Sequence, residues 1–167
     1  MGEKLVSTSD TMAIEVSKQG KRIESLVIVI FVFNEDQPQS KFLESRIEYV
    51  ARRLIYRAEK GQYSLFATVT GHTDSIGPEY ANNELSKRRA NREMLNIRKY
   101  MKYILKLDTD AQLDKWLADH HVKLRAKGYG EKDPYEIRRW NSELEMGQKA
   151  IIGENGTPEG RTVNRRV

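Results

Sequence analysis

The sequence predicts an α/β protein, an α+β sandwich in which a βαβαβ-type mixed sheet carries two long helices on one face, with extra helical insertions. Three observations lead there. A nearly continuous, β-branched apolar run from Leu26 to Phe33 reads as a strand buried on both sides. Two segments, Leu43 to Ala58 and Glu79 to Leu105, repeat apolar residues at helical spacing. Short β-rich runs, Tyr63 to Thr70 and Val122 to Ala126, follow the helical stretches, and strand, helix, strand in that order implies a right-handed crossover.

Composition fits one domain. The 167 residues suffice for a single ordinary core and are too few for two comfortable ones. With 32% charged and 38% hydrophobic residues, neither a membrane-embedded bundle nor disorder throughout is expected. The longest apolar run, Leu26 to Phe33, falls far short of the roughly 18 residues a spanning helix needs. Met1-Gly2-Glu3-Lys4 carries an acid and a base where a secretory signal is apolar, so we expect a cytosolic protein or an export segment outside this sequence. Cysteine is absent, which removes disulfides, thiol nucleophiles and thiolate metal sites together. The net charge of +5 suits an anionic partner such as nucleic acid, a lipid surface or an acidic polymer.

Taken along the chain, Thr11 to Val16 and Ile23 to Phe33 form a hairpin turning at Gly20, and its second strand should be central. After the breaker stretch Asn34 to Gln39, Leu43, Ile47, Val50, Ala51, Leu54 and Ala58 give a first helix that stops at Gly61. Tyr63 to Thr70 is a strand closing at Gly71. The second helix, Glu79 to about Leu105, buries Ala90, Met94, Ile97, Met101 and Ile104. Leu113, Trp116 and Leu117 mark a smaller amphipathic segment, Asp110 to Asp119, before the strand Val122 to Ala126. From Pro134 to Gly153 the pattern weakens into a charged surface excursion with a helical turn. No internal repeat or linker marks a second domain.

The chemistry concentrates in the loop Gly71-His72-Thr73-Asp74-Ser75-Ile76-Gly77, between a strand's carboxyl end and a helix's start, the edge where open α/β sheets bind ligands. Asp74 either presents a carboxylate beside backbone N–H groups or caps the following helix. On that helix Asn82, Ser86 and Arg89 share a stripe bordering the apolar face. A carboxylate and a guanidinium facing one cavity recognise a zwitterion; the plain alternative is an Asp74–Arg89 salt bridge at the core's margin. Lys87, Arg88, Arg89, Arg92, Arg98, Lys99 and Lys102 crowd the same helix, which raises nucleic acid as an alternative to a solvated face. His120 and His121 are adjacent, project differently and form no metal motif. No catalytic constellation, metal site or cofactor motif is present in the pattern, and a non-enzymatic protein is expected.

The string Gly71-His72-Thr73-Asp74-x-x-Gly77, then Asn82-x-x-Leu85-Ser86-x-x-Arg89-Ala90, resembles the signature of the OmpA-like C-terminal domain. That family includes peptidoglycan-associated lipoproteins and flagellar stator B subunits. Phe31-x-Phe33-Asn34, Gly128-Tyr129-Gly130-Glu131 and Gly160-Arg161-x-x-Asn164-Arg165-Arg166-Val167 continue the resemblance from Ile23 to Val167. It implies a domain over 23–167, preceded by an N-terminal extension and hairpin strand over 1–22, with insertions near 106–120 and 135–153. It also implies non-covalent binding of peptidoglycan through the diaminopimelate of the stem peptide. By position Asp74 pairs with the ligand's ammonium and Arg89 receives its carboxylate. Asn34, Thr73, Asn82, Leu85 and Arg165 match positions lining the family pocket, and Gly71 and Gly77 would let the loop approach the ligand.

The resemblance places such a domain in the periplasm, anchoring an envelope protein to the cell wall, with a homodimer or an envelope complex as further partners. Membrane attachment would come only through segments outside this sequence. Family members usually extend a final strand beyond the position of Val167, so an incompletely paired edge is expected there. Two other readings stay open: an envelope or motor-assembly interaction domain with a degenerate pocket, and a nucleic-acid binder using the basic second helix.

Overall fold

The computed structural model describes residues 12–16, 22–31, 34–37, 42–61, 64–132, 137–140, 149–152 and 164–167. Strands β1 (Met12–Val16) and β2 (Arg22–Leu26) pair antiparallel, Val16 opposite Arg22, which is the hairpin the sequence calls for. Its turn at Gly20 lies outside the described residues.

The apolar run beyond β2 departs from expectation. Residues 28–31 bond to the chain's last residues instead of lying against the next strand. Ile28 N and Val29 N donate to Val167 O at 2.7 and 3.2 Å, Phe31 N donates to Arg165 O at 2.7 Å, and Ile30 bridges Arg166 antiparallel. On the other side His72 N donates to Arg166 O at 2.9 Å. The C-terminal residues thus lie between the first apolar segment and the end of the following strand, bonded on both sides. Buried Val167 joins Val29 and Phe31 in the core, and that apolar contact is what holds the chain's end inside.

Helix α1 (Leu43–Lys60) ends at Gly61 and buries Ile47, Ala51, Ile55 and Ala58 at i, i+4, i+8, i+11. Strand β3 (Leu65–Gly71) leads through the polar loop to α2 (Glu79–Leu105). Ala90, Ile97 and Met101 of α2 are buried, with Met94 and Ile104 packed against the same cluster. Helix α3 (Asp110–Asp119) opens on a capping box between Thr109 and Gln112 and buries Leu113 and Leu117. Strand β4 (Val122–Gly128) then pairs parallel with β3 in unbroken register, Leu65 opposite Val122 and Gly71 opposite Gly128. The parallel crossover is therefore β3 to β4 through α2 and α3.

Within the stretch read as a charged surface excursion with a helical turn, the described residues are strands, and residues 133–136 and 141–148 lie outside the described residues. Strands β5 (Ile137–Trp140) and β6 (Lys149–Ile152) form an antiparallel hairpin. The run Lys149-Ala-Ile-Ile152 is β-prone, and the charges between the two strands hid the pairing.

Candidate functional site

Two glycines shape the loop after β3. A Cβ on Gly71 would run into the backbone carbonyl of Ser86, so only glycine lets α2 lie this close to the strand's end. Gly77, at φ 101°, turns the chain into Pro78, the residue preceding α2. Both glycines serve the backbone's path.

That path converges on a cavity of about 30 Å³ lined by Asn34, Thr73, Asp74, Ile76, Asn82, Leu85, Arg89 and Arg165. All seven residues expected from the sequence are among these eight. They arrive from four places: the turn at Asn34, the loop after β3, the first three turns of α2, and the C-terminal segment. Asn34 sits at φ 58°, a left-handed conformation that asparagine tolerates better than most residues. Ile76 was missed; an apolar residue in a polar loop, 46% exposed, was the available signal.

Asp74 is 3% exposed. Its Oδ1 accepts from Ile76 N at 3.2 Å, closing a local turn, and its Oδ2 accepts from Arg165 Nη1 at 2.9 Å. It does not cap α2, which begins after Pro78 with no side-chain cap. Arg165 Nε also donates to Phe31 O at 3.0 Å, tying the C-terminal segment to the first apolar run.

Arg89 is 0% exposed, so the expectation that it sits at the core's margin is corrected. Its Nε and Nη2 donate to Glu35 O at 2.9 and 2.6 Å, and its Nη1 donates to His72 O at 2.9 Å. Its Cζ lies 4.4 Å from the centre of the Phe31 ring. Burial pulls the guanidinium down to about 10, with Asp74 acting in the opposite direction and Arg165 adding to the fall. It is a cation at neutral pH all the same. The simple Asp74–Arg89 salt bridge is replaced by an Asp74–Arg165 pair with Arg89 held on backbone carbonyls.

Asn82 Nδ2 donates to Glu131 Oε2 at 3.0 Å, which orients its amide oxygen from outside the cavity. Thr73 Oγ1 is buried without a hydrogen-bond partner among the described residues. Such a hydroxyl is a polar group in need of a partner, and it lines the cavity. Ser86, placed on the same stripe by the sequence, belongs elsewhere: its Oγ donates to Asn83 O at 2.8 Å and accepts from Gly130 N at 2.9 Å, pinning α2 to the loop after β4.

The basic face of α2 is largely answered by acids. Lys87 pairs with Glu84 at 2.7 Å, Arg88 with Asp36 at 3.1 Å, Arg98 with Asp114 at 2.8 Å and Lys102 with Asp110 at 3.1 Å. Those pairs offset four of the seven basic charges on which the nucleic-acid reading rests. His120 stacks on Trp116, ring centres 4.1 Å apart, with Nδ1 2.9 Å from the Trp116 carbonyl oxygen, so its role is local packing.

No family model matches the chain. Outer membrane porin F of Pseudomonas fluorescens is 35% identical over 99 residues, covering 59% of this chain and 20% of that protein. The same porin of Pseudomonas aeruginosa is 32% identical over 107 residues, 62% of this chain and 20% of the relative. The matched stretch is thus about a fifth of the length of these curated relatives. Among solved structures, the periplasmic domain of Helicobacter pylori MotB covers 96% of this chain and 81% of that one, with TM-score 0.53 and 18% identity, a likeness of fold.

Proposed function

We propose, from the premise that the chain belongs to the OmpA-like family, that it binds peptidoglycan non-covalently and anchors a bacterial envelope protein to the cell wall. The observation that carries this reading is the convergence of Asn34, Thr73, Asp74, Asn82, Leu85, Arg89 and Arg165 on one cavity. These are the positions at which the sequence resembles the family pocket. The ligand group is the diaminopimelate of the stem peptide, whose free end is a zwitterion: its ammonium goes to Asp74 and its carboxylate to Arg89.

The electrostatics suit that assignment. Two guanidinium groups and one carboxylate line the cavity, so the ligand's carboxylate meets a net positive charge while its ammonium shares Asp74 with Arg165. Thr73 Oγ1 gains a partner that it lacks among the described residues. Asn34 and Ile76 form the cavity's exposed wall. Holding a polymer calls for this binding and for no chemical step, and the proposed role is adhesive, in the periplasm, within an envelope assembly.

Cosedimentation with isolated sacculi tests the reading. The wild-type chain is expected in the pellet and Asp74→Ala in the supernatant, both folded by circular dichroism. Wild-type protein that stays in the supernatant would leave the fold without this function.

A further inference from the structure

Most of the basic residues of α2 face carboxylates, and among the described residues those of β4 do not. Lys123, Arg125 and Lys127 alternate along β4 and are all exposed, while Val122, Leu124 and Ala126 between them turn toward the helices. Directly across on β3 stand Phe66, Thr68 and Thr70, and neither strand contains an acidic residue.

Uncharged neighbours hold these cations. Lys123 Nζ lies 5.5 Å from the centre of the Phe66 ring, Arg125 Nε donates to Thr68 Oγ1 at 3.0 Å, and Lys127 Nζ lies 4.5 Å from the centre of the Tyr129 ring. Such contacts fix a side chain's position without cancelling its charge. The result is a row of three positioned cations with a repeat of about 6.6 Å, twice the rise of a parallel strand. Among the described residues β4 pairs with β3 alone, and its other edge has no backbone partner among them.

We propose that β4 receives an added strand from a partner polypeptide, an extended segment carrying Asp or Glu at alternate positions. Its backbone bonds to the open edge, and its carboxylates fall beside Lys123, Arg125 and Lys127. The period favours this partner over a lipid surface. An anionic bilayer is met by cations in any arrangement, whereas a single row at every second residue matches the side-chain repeat of a strand. This surface is separate from the cavity at Asp74 and does not depend on what fills it.

The test is fluorescence anisotropy at low ionic strength with a labelled peptide of alternating Thr and Glu, about ten residues long. The alternating peptide is expected to bind at least about tenfold more tightly than one of the same composition with its Glu residues clustered. The same margin is expected over copies N-methylated at alternate residues in either register, in the register that blocks the edge. The triple variant Lys123→Gln, Arg125→Gln, Lys127→Gln is expected to lose that binding and to keep its behaviour with sacculi. Equal binding of alternating, clustered and N-methylated peptides overturns the proposal in favour of diffuse attraction. Absence of peptide binding overturns it in favour of cations that merely guard the edge against self-pairing. Binding to phosphatidylglycerol vesicles, lost in the triple variant and unaccompanied by peptide binding, overturns it in favour of a membrane surface.

Discussion

Asp74 and Arg165 stand 91 residues apart in sequence and meet through Oδ2 and Nη1 at 2.9 Å. This pair closes the domain on itself: it joins the loop after β3 to the C-terminal segment, and through Arg165 Nε to the carbonyl of Phe31. Both side chains are mostly withdrawn from water, at 4% and 15% exposure.

Asp74→Asn keeps the shape of the side chain and removes its charge. Breaking one member of a withdrawn ion pair costs on the order of 3 kcal/mol, so a lower denaturation midpoint is expected in urea. Sacculus binding should fall by roughly thirty-fold or more, because a charged ligand group is left unanswered. Unchanged binding with lowered stability would reduce Asp74 to a structural role.

Arg89→Ala is expected to be far more damaging than a surface salt bridge would allow. It strips donors from the Glu35 and His72 carbonyls and leaves a cavity beside Phe31, at a cost of about 3 to 5 kcal/mol. Arg89→Lys supplies one amine where two carbonyls need donors, and should lie between wild type and alanine in thermal melts. Arg98→Ala, whose partners Asp110 and Asp114 are on the exposed face of α3, should leave sacculus binding unchanged.

Glu93 gives a pH prediction. It is 0% exposed on α2, its Oε1 has no hydrogen bond among the described residues, and Arg92 Nε is 4.0 Å away. Burial raises its carboxyl above the ordinary 4.5, against lowering by the Asn96 hydrogen bond and by Arg92. A raised acid binds its proton more tightly in the folded state, so its contribution is fully present below the unfolded value and is lost as pH rises through the folded one. Glu93→Gln should therefore be more stable than wild type at neutral pH, with the difference shrinking as pH falls toward 4.5. Melting curves of both proteins across that range check it, and a difference independent of pH would contradict it.

Gly71→Ala places a methyl group against the Ser86 carbonyl, on the backbone of α2, where no side chain can yield. Destabilisation of about 1 to 3 kcal/mol is expected from the forced shift. The methyl group would also move Arg89 and Asn82 relative to Asp74, so binding should weaken even in protein that remains folded.

Much of this arrangement was legible in the residues. The stripe Ile47, Ala51, Ala58 fixed the buried face of α1, and Gly61 its end. Spacing from near Glu79 to about Leu105 located α2, because a long amphipathic repeat averages over local exceptions. The seven cavity residues were legible through their motif. The pairing among them was not: Asp74 takes Arg165 instead of Arg89 because contacts across 91 residues depend on where the C-terminal segment is laid. Helical spacing likewise placed Ser86 beside Asn82 and Arg89, but spacing cannot say that Gly130 N reaches its hydroxyl first. The hairpin of β5 and β6 escaped because its short strands are separated by charged residues with no turn signal tight enough to mark the pairing.

The central claim is that Asp74 and Arg89 together read a zwitterion, and calorimetric titration with free diaminopimelate beside Nα-acetyl-lysine amide tests it most directly. With both α groups capped, this compound keeps the side-chain ammonium and has no carboxylate beside it, so the contact with Arg89 is lost. A charge-assisted hydrogen bond contributes about 1.5 to 3 kcal/mol, which sets the expected preference for diaminopimelate at roughly tenfold to a hundredfold. Saturable binding of diaminopimelate with that preference, abolished in Asp74→Asn, is the result expected. Equal affinity for the two compounds, or no binding of diaminopimelate, would contradict the assignment of this cavity.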